Sequence, residues 1–155
     1  MDEDLEQLLS AFNAHNVRHV VVGGHAVAVH AQPRATKDLD VFIDRSPDNA
    51  RAVYAALAEF GAPLGDTKPE DFENPTSILR LGVPPVCVEI MQHIDGLDFN
   101  SAWDASSEHT VDGFTARYIS AEHLIQSKLA AGRLQDLADV AAVRQAQAAM
   151  KIKPE

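Results

Sequence analysis

A glycine pair and two closely spaced aspartates, each belonging to a short apolar run, most constrain how this chain folds. Gly23-Gly24 ends the apolar run His19–Val22, and Asp38 and Asp40 lie in a second run at 38–43. The two runs predict two strands. Because alternate side chains of a strand point to one face, both carboxylates would project together, about 6.5–7 Å apart. They would repel each other unless a cation lay between them, and Mg²⁺ prefers such oxygen ligands.

Helical and strand-like patterns alternate along the rest of the chain. Their order predicts an α/β or α+β domain around a mixed β-sheet flanked by helices, with further helices at the C-terminal end. The chain shows no internal repeat and no linker, so we expect a single domain over residues 1–155. Helices are predicted at 2–15, 26–31, 46–61, 98–105 and from 120 onward with a break at Gly132, strands at 18–22, 38–43, 76–81, 86–91, 109–111 and 114–119, and turns at 23–24 and 82–85.

Composition narrows the class of protein. An apolar share of 46% and a charged share of 23% are ordinary for a soluble globular protein. No apolar run approaches the roughly 20 residues that a membrane span requires. The acidic residues 1–4 are unlike a secretory signal, which begins basic and then becomes apolar. The one cysteine, Cys87, cannot form an internal disulfide, and this suits a reducing cytoplasm, which is the expected location.

The net charge of −10 bears on the partners. An extensive nucleic-acid surface is not expected, because such a surface needs clustered Lys and Arg to neutralise phosphates. A small basic pocket is still compatible with the charge, and bound metal ions could screen an acidic site locally. The charge therefore favours a small molecule or a protein over tRNA or DNA as the partner, and no membrane partner is expected.

Glu89 is a charged residue inside the apolar run 86–91. On a strand, Glu89 would share a face with Cys87 and Met91, opposite Val88 and Ile90. A charge in that position is costly unless it is paired or ligates a metal. Two interpretations stay open: Glu89 is a third metal-binding carboxylate, or it forms an ion pair with an arginine such as Arg80 across the hairpin.

Together these motifs resemble the minimal nucleotidyltransferases of the DNA polymerase β superfamily. The resemblance covers residues 17 to 145, nearly the whole chain. Its C-terminal part is similar to a helical segment of small bacterial members, including abortive-infection-type and antitoxin-type proteins. The residues that carry it are Gly23, Gly24 and Ala26, then Arg34, Thr36, Asp38, Leu39 and Asp40, and finally Lys128, Gly132, Arg133, Asp136, Leu137 and Asp139.

The resemblance implies a nucleotidyltransferase-like fold, two Mg²⁺ ions and transfer of a nucleoside monophosphate from an NTP, with ATP expected, to an acceptor hydroxyl. Asp38, Asp40 and Glu89 would be the catalytic and metal-binding carboxylates, although the family more often has Asp at the third place. The glycine backbone would receive the triphosphate, since glycine leaves no Cβ in the way. The residues expected to bind the nucleotide are Gly23, Gly24, Arg34, Thr36 and Lys128.

The acceptor stays open among a small molecule, a protein hydroxyl and an RNA end. One subclass of the family pairs with a toxin and inactivates it by adding AMP, so a toxin is one candidate protein partner. The alternative is a nucleotide-binding or partner-binding protein that keeps the fold but catalyses weakly, an interpretation that Glu89 favours.

Several residues have plain structural interpretations beside the functional ones. Lys128, Arg133, Asp136 and Asp139 fit a solvated helix face with ordinary i, i+3 pairs as well as they fit a site. His25 is a nucleotide contact or a structural residue. Cys87 and Trp103 are expected in the core.

Overall fold

The computed structural model describes residues 1–32, 38–83 and 86–152, and within these ranges the chain forms six helices and six strands. A short 3₁₀ helix, Pro69–Glu73, lies between residues 61 and 77. The elements in chain order are α1 Glu3–Ala14, β1 His19–Val22, α2 Gly23–His30, β2 Leu39–Ile43, α3 Pro47–Phe60, β3 Ile78–Val83, β4 Val86–Met91, α4 Phe99–Ala105, β5 Ser107–Val111, β6 Phe114–Tyr118, α5 Ala121–Ala131 and α6 Leu134–Ile152.

The six strands of the described ranges form one mixed sheet, in the order β3-β4-β2-β1-β6-β5, which confirms the predicted fold class. Strand β2 runs antiparallel to β1 and parallel to β4. The hairpins β3–β4 and β5–β6 form the two ends of the sheet. The register places Val22 beside Asp40, Asp40 beside Glu89, and Glu89 beside Arg80, so four neighbouring strands contribute to one line across the sheet.

Local chemistry sets most helix boundaries where the sequence predicts them. The Ser46 hydroxyl accepts a hydrogen bond from the backbone N–H of Asn49, with Pro47 at the first position of α3. Helix α3 ends at Gly61, whose φ of 91° only glycine adopts readily. Ser120 caps α5 in the same way, and Gly132 ends it with a φ of 69°.

The hydrophobic core covers the two central strands. Every residue of β1 is buried, and in β2 only Asp40 is partly exposed. Strands buried on both faces need helices on both sides of the sheet. The helices pack in two groups, α1 with α3, and α2 with α5 and α6. The largest fully buried side chains include Phe12, Phe42, Phe72, Leu8, Leu9, Leu39, Ile43 and Ile90.

Two turns differ from their prediction. Helix α2 begins at Gly23 itself, so the glycine pair is the first turn of the helix and not a separate turn before it. Residues 82 and 83 belong to β3 and pair with Cys87 and Val86, so only Pro84 and Pro85 are left for the turn, and they lie outside the described residues. Across the described residues, no helix is both long and apolar enough to span a membrane.

Asn49 ties the start of β1 to the end of β2. Its Oδ1 accepts a hydrogen bond from the backbone N–H of Arg18 at 2.8 Å. Its Nδ2 donates to the carbonyl oxygen of Arg18 at 3.1 Å and to that of Asp44 at 2.6 Å. The side chain is buried at the first turn of α3. One amide group therefore connects a helix to the ends of two neighbouring strands.

We expect Asn49→Ala to lower the free energy of unfolding by about 2–3 kcal/mol, because it removes three hydrogen bonds to the partly buried backbone of Arg18 and Asp44. Urea unfolding followed by circular dichroism measures the change. Asn13→Ala is the matched control, since Asn13 is exposed on α1, and it should stay within about 0.5 kcal/mol of the wild type. Equal losses in the two variants would contradict the role assigned to Asn49.

Candidate active site

A cleft of about 370 Å³ opens where β1 ends and α2 begins. Asp40 of β2 lies on one wall, and helices α5 and α6 provide the other. Of the predicted site residues, the cleft brings together Gly23, Gly24, Asp40 and Lys128. Arg34 and Thr36, also predicted to bind the nucleotide, lie outside the described residues. The remaining lining residues include Met91, Ile94, Ser127, Arg133, Gln135, Asp136 and Asp139.

Gly23 can only be glycine at this position. Its φ of +66° is strained for other residues, and a Cβ there would overlap the carboxylate of Asp40. The backbone at the start of α2 therefore lies against the side chain of Asp40 on β2. Early backbone N–H groups of a helix have no partner within that helix, so this junction can receive an anion.

Asp38, Asp40 and Glu89 are electrostatically coupled. Asp40 and Glu89 are register partners on β2 and β4, and Asp38 directly precedes β2. Burial raises the pKa of Asp40 to about 6, and the negative charges of Glu89 and Asp38 add to the rise. The positive charges of Lys128 and Arg80 oppose it. The sheet thus holds three carboxylates closer together than their charges favour.

Arg80 pairs with two of these carboxylates. Its Nη1 lies 3.5 Å from Glu89 Oε1, and its Nη2 lies 3.9 Å from Asp38 Oδ2. The ion pair that the sequence left open therefore exists. Within the described ranges, no three His, Cys, Asp or Glu side chains are arranged to hold a metal ion. The pairing does not remove the donors, since the same carboxylate oxygens are hard ligands of the kind that Mg²⁺ binds.

Lys128 belongs to a buried network and not to a solvated face. Its Nζ donates to Asp139 Oδ2 at 2.8 Å and to Asp136 Oδ1 at 3.3 Å. The side chain of Asp136 is only 1% exposed, whereas that of Arg133 is 78% exposed. A hydrogen bond from Arg133 at 2.6 Å holds the pKa of Asp136 below its ordinary value. The solvated interpretation is wrong for Lys128, Asp136 and Asp139, because α6 folds back onto α5.

Two other residues considered from the sequence lie outside the cleft. His25 is buried and lines a separate cavity with Met1 and Tyr118, and burial lowers its pKa. Trp103 packs on Phe99 and lies under the guanidinium groups of Arg18 and Arg117, beside a cavity of about 330 Å³ at the start of β1. Cys87 is buried in β4, which confirms its expected core position.

Gly23→Ala should destabilise the protein by about 1–2 kcal/mol more than Gly61→Ala. Both positions have a positive φ, but a Cβ at Gly61 meets no atom within 4 Å, whereas one at Gly23 meets Asp40. Parallel urea unfolding of the two variants isolates the cost of the contact. If both lose the same free energy, the close approach of Gly23 to Asp40 does not exist in solution.

Asp40→Asn should stabilise the metal-free protein above pH 6 by about 1–3 kcal/mol, less where solvent screens the charge. The pKa of Asp40 is higher in the folded state, about 6 against an ordinary 3.8. The folded state therefore binds more protons than the unfolded state between about pH 4 and 6, and wild-type stability falls as pH rises through that window. In Asp40→Asn, the free energy of unfolding should decrease less than in the wild type as pH rises from about 4 to 6.

Urea unfolding in EDTA at pH 4 and pH 7.5 measures both effects. Asp48→Asn provides the control, since its side chain is exposed on α3 away from the cleft, and it should change stability little at either pH. If the difference in unfolding free energy between Asp40→Asn and the wild type is the same at both pH values, the pKa of Asp40 is not raised in the folded protein.

Three solved structures share the fold of this chain. The lincosamide antibiotic adenylyltransferase LnuA, bound to lincomycin, is 17% identical over 94% of this chain and 98% of that chain, with a TM-score of 0.60. ANT(2″)-Ia, in complex with adenylyl-2″-tobramycin, is 13% identical over 95% of this chain and 89% of that chain, also with a TM-score of 0.60. An antigenic nucleotidyltransferase-like protein from Paracoccidioides brasiliensis is 17% identical over 92% and 76%, with a TM-score of 0.57.

A comparison with curated proteins finds no match. The model of the family described as "Nucleotidyl transferase of unknown function (DUF2204)" matches residues 1–154. That match spans nearly the whole chain, and the fold is shared with solved nucleotidyltransferase structures. The chain therefore belongs to this family and is an enzyme of the nucleotidyltransferase class.

Proposed function

We propose that this chain transfers a nucleoside monophosphate from an NTP, with ATP as the preferred donor, to a hydroxyl group in a Mg²⁺-dependent reaction. The observation that carries the proposal is the register that places Asp40 beside Glu89 and the end of β1, next to a cleft containing Lys128. Membership of a nucleotidyl transferase family supports the reaction class. The site residues, the metal and the donor are our proposal.

Asp38, Asp40 and Glu89 are the residues proposed to hold Mg²⁺. The donor set fits, because it consists of carboxylates: burial, and then repulsion by Glu89 and Asp38, raises the pKa of Asp40, and a divalent cation would relieve that repulsion. When bound, a pair of Mg²⁺ ions would polarise the attacked phosphate and favour ionisation of the acceptor hydroxyl.

The protein groups have separate proposed tasks. Backbone N–H groups at Gly23-Gly24 donate to phosphate oxygens, and the Lys128 ammonium offsets phosphate charge. Arg34 and Thr36 are proposed to add phosphate contacts. The acceptor oxygen forms a bond to the α-phosphorus as the bond from that phosphorus to the pyrophosphate oxygen breaks. The hydroxyl proton passes to Glu89, and pyrophosphate leaves.

A small hydroxylated molecule is the acceptor that we favour. Two structural neighbours are described as an adenylyltransferase of lincosamide antibiotics and as a complex with adenylyl-2″-tobramycin. The net charge of −10 disfavours an RNA end. A protein hydroxyl, including that of a toxin partner, is the second acceptor class to be tested.

A second candidate function is nucleotide binding with weak or no transfer. The observation that favours it is the ion pair between Arg80 and Glu89, which occupies the carboxylate proposed to accept the proton. Under this candidate, ATP would bind in the cleft but no pyrophosphate would be released.

We expect the double variant Asp38→Ala and Asp40→Ala to reduce transfer to background, because it removes two of the proposed metal ligands. The variant Glu89→Gln should lower kcat about 10²-fold, because it removes the proposed proton acceptor, and should change the Kd for ATP less than about threefold. The assay measures pyrophosphate release from each of the four NTPs with Mg²⁺ and a panel of lincosamides, aminoglycosides and candidate proteins. Mass spectrometry then identifies the acceptor by the added nucleoside monophosphate. Glu70→Gln, an exposed carboxylate in the 3₁₀ helix, is the control and should retain the wild-type rate.

The outcomes separate the candidates. Wild-type turnover in the double variant would refute the site, and an unchanged rate in Glu89→Gln would leave Glu89 with a structural role. ATP binding without turnover of any NTP would favour the second candidate.

A further inference from the structure

Arg80 lies at the end of a row of paired residues that crosses the sheet through Asp40 and Glu89. Asp40 on β2 pairs with Glu89 on β4, and Glu89 pairs with Arg80 on β3. Strand β3 is the last strand on that side of the sheet. The guanidinium thus lies beyond the carboxylates, on the side away from Gly23.

The guanidinium bridges two carboxylates that do not share a strand. It lies 3.5 Å from Glu89 and 3.9 Å from Asp38. The Cys87 side chain is also beside it. An arginine carries several N–H donors in one rigid plane, so a single side chain can serve both carboxylates at once, which a lysine does less well.

These contacts are reversible. The Arg80 side chain is 59% exposed, and the ion-pair distances are long for charge-assisted hydrogen bonds. Exposed ion pairs of this kind contribute little to stability. The guanidinium can therefore move into solvent while the strand that carries it stays in place.

A divalent cation and a guanidinium cannot use the same carboxylate oxygens. They compete for Asp38 and Glu89 directly, and as like charges they repel each other at short distance. We propose that Arg80 is the internal counter-ion of the carboxylate site: it pairs with Asp38 and Glu89 in the metal-free protein and must withdraw before a divalent cation binds there. This inference rests on the proposed function, because it takes the same carboxylates to be the metal ligands.

Arg80 is thereby a positioning residue and not a catalytic one. It keeps Asp38 and Glu89 in place while no metal is bound, at the expense of affinity for free metal. Removing it should strengthen metal binding, whereas removing a residue that helps to hold the metal should weaken it. The direction of the change in affinity is therefore diagnostic.

The experiment titrates Mn²⁺ alone, without nucleotide, and measures free Mn²⁺ by electron paramagnetic resonance. Arg80→Gln should lower the Kd for Mn²⁺ about three- to tenfold, the range expected when two partly exposed ion pairs no longer compete. Arg80→Lys should gain less than Arg80→Gln, because it retains the positive charge and loses only the two-carboxylate bridge. Arg51→Gln removes the same charge from α3, where Arg51 pairs with Asp48, and should stay within twofold of the wild type.

Thermal unfolding gives a second readout. In EDTA, Arg80→Gln should unfold within a few degrees of the wild type, because exposed ion pairs contribute little to stability. Saturating Mn²⁺ should then raise its Tm by more than it raises that of the wild type. If Arg80→Gln fails to fold, Arg80→Lys provides both measurements.

An unchanged or weaker Mn²⁺ affinity in Arg80→Gln would overturn the inference. An equal gain in affinity in Arg51→Gln would overturn it too, because the loss of any positive charge would then explain the effect. In both cases wild-type Mn²⁺ binding would leave the proposed metal site standing. If the wild type and all variants fail to bind Mn²⁺, the proposed metal-dependent function fails, and the inference fails with it.

Discussion

Repulsion among three carboxylates on a rigid sheet is the constraint around which the site of this protein is organised. Strands β1 and β2 are buried, so a one-residue slip in register would move every core side chain to the opposite face of the sheet. Asp40 is therefore held next to Glu89, and burial together with the charges of Glu89 and Asp38 raises its pKa to about 6. Among the described residues, the positive charges of Lys128 on α5 and Arg80 on β3 oppose this rise.

The ion-pair network around Lys128 is better explained by where it places the ammonium group than by any gain in stability of the fold. Burying an ion pair costs desolvation that the Coulomb attraction often only offsets, so an apolar replacement could be as stable. Asp136 and Asp139 hold the ammonium at the cleft, where its charge reaches Asp40. An apolar replacement would keep α5 and α6 packed but would remove the Lys128 charge, which opposes the raised pKa of Asp40. This agrees with the proposed phosphate contact of Lys128.

Sequence reasoning succeeded where the signal is local. Ser46, Pro47 and Gly61 mark α3 because capping and left-handed backbone are properties of single residues. It was less accurate for the glycine pair, since a tight turn and the first turn of a helix both call for glycine there. It left two interpretations of Lys128 open, because i, i+3 spacing looks the same on a solvated face and on one covered by another helix. The contact of Arg80 with Asp38 joins strands that are not neighbours, so it depends on a strand order that pairwise patterns do not contain.

Glu89 and Arg80 are best understood together. A glutamate carries its carboxylate one methylene farther from the strand than an aspartate would. The carboxylate of Glu89 contacts Arg80 on β3, and its charge also acts on Asp40 on β2. The contact with Arg80 is therefore compatible with the proposed activity: under our proposal, the same carboxylate would pair with Arg80 in the metal-free protein and would hold the divalent cation once Arg80 withdraws.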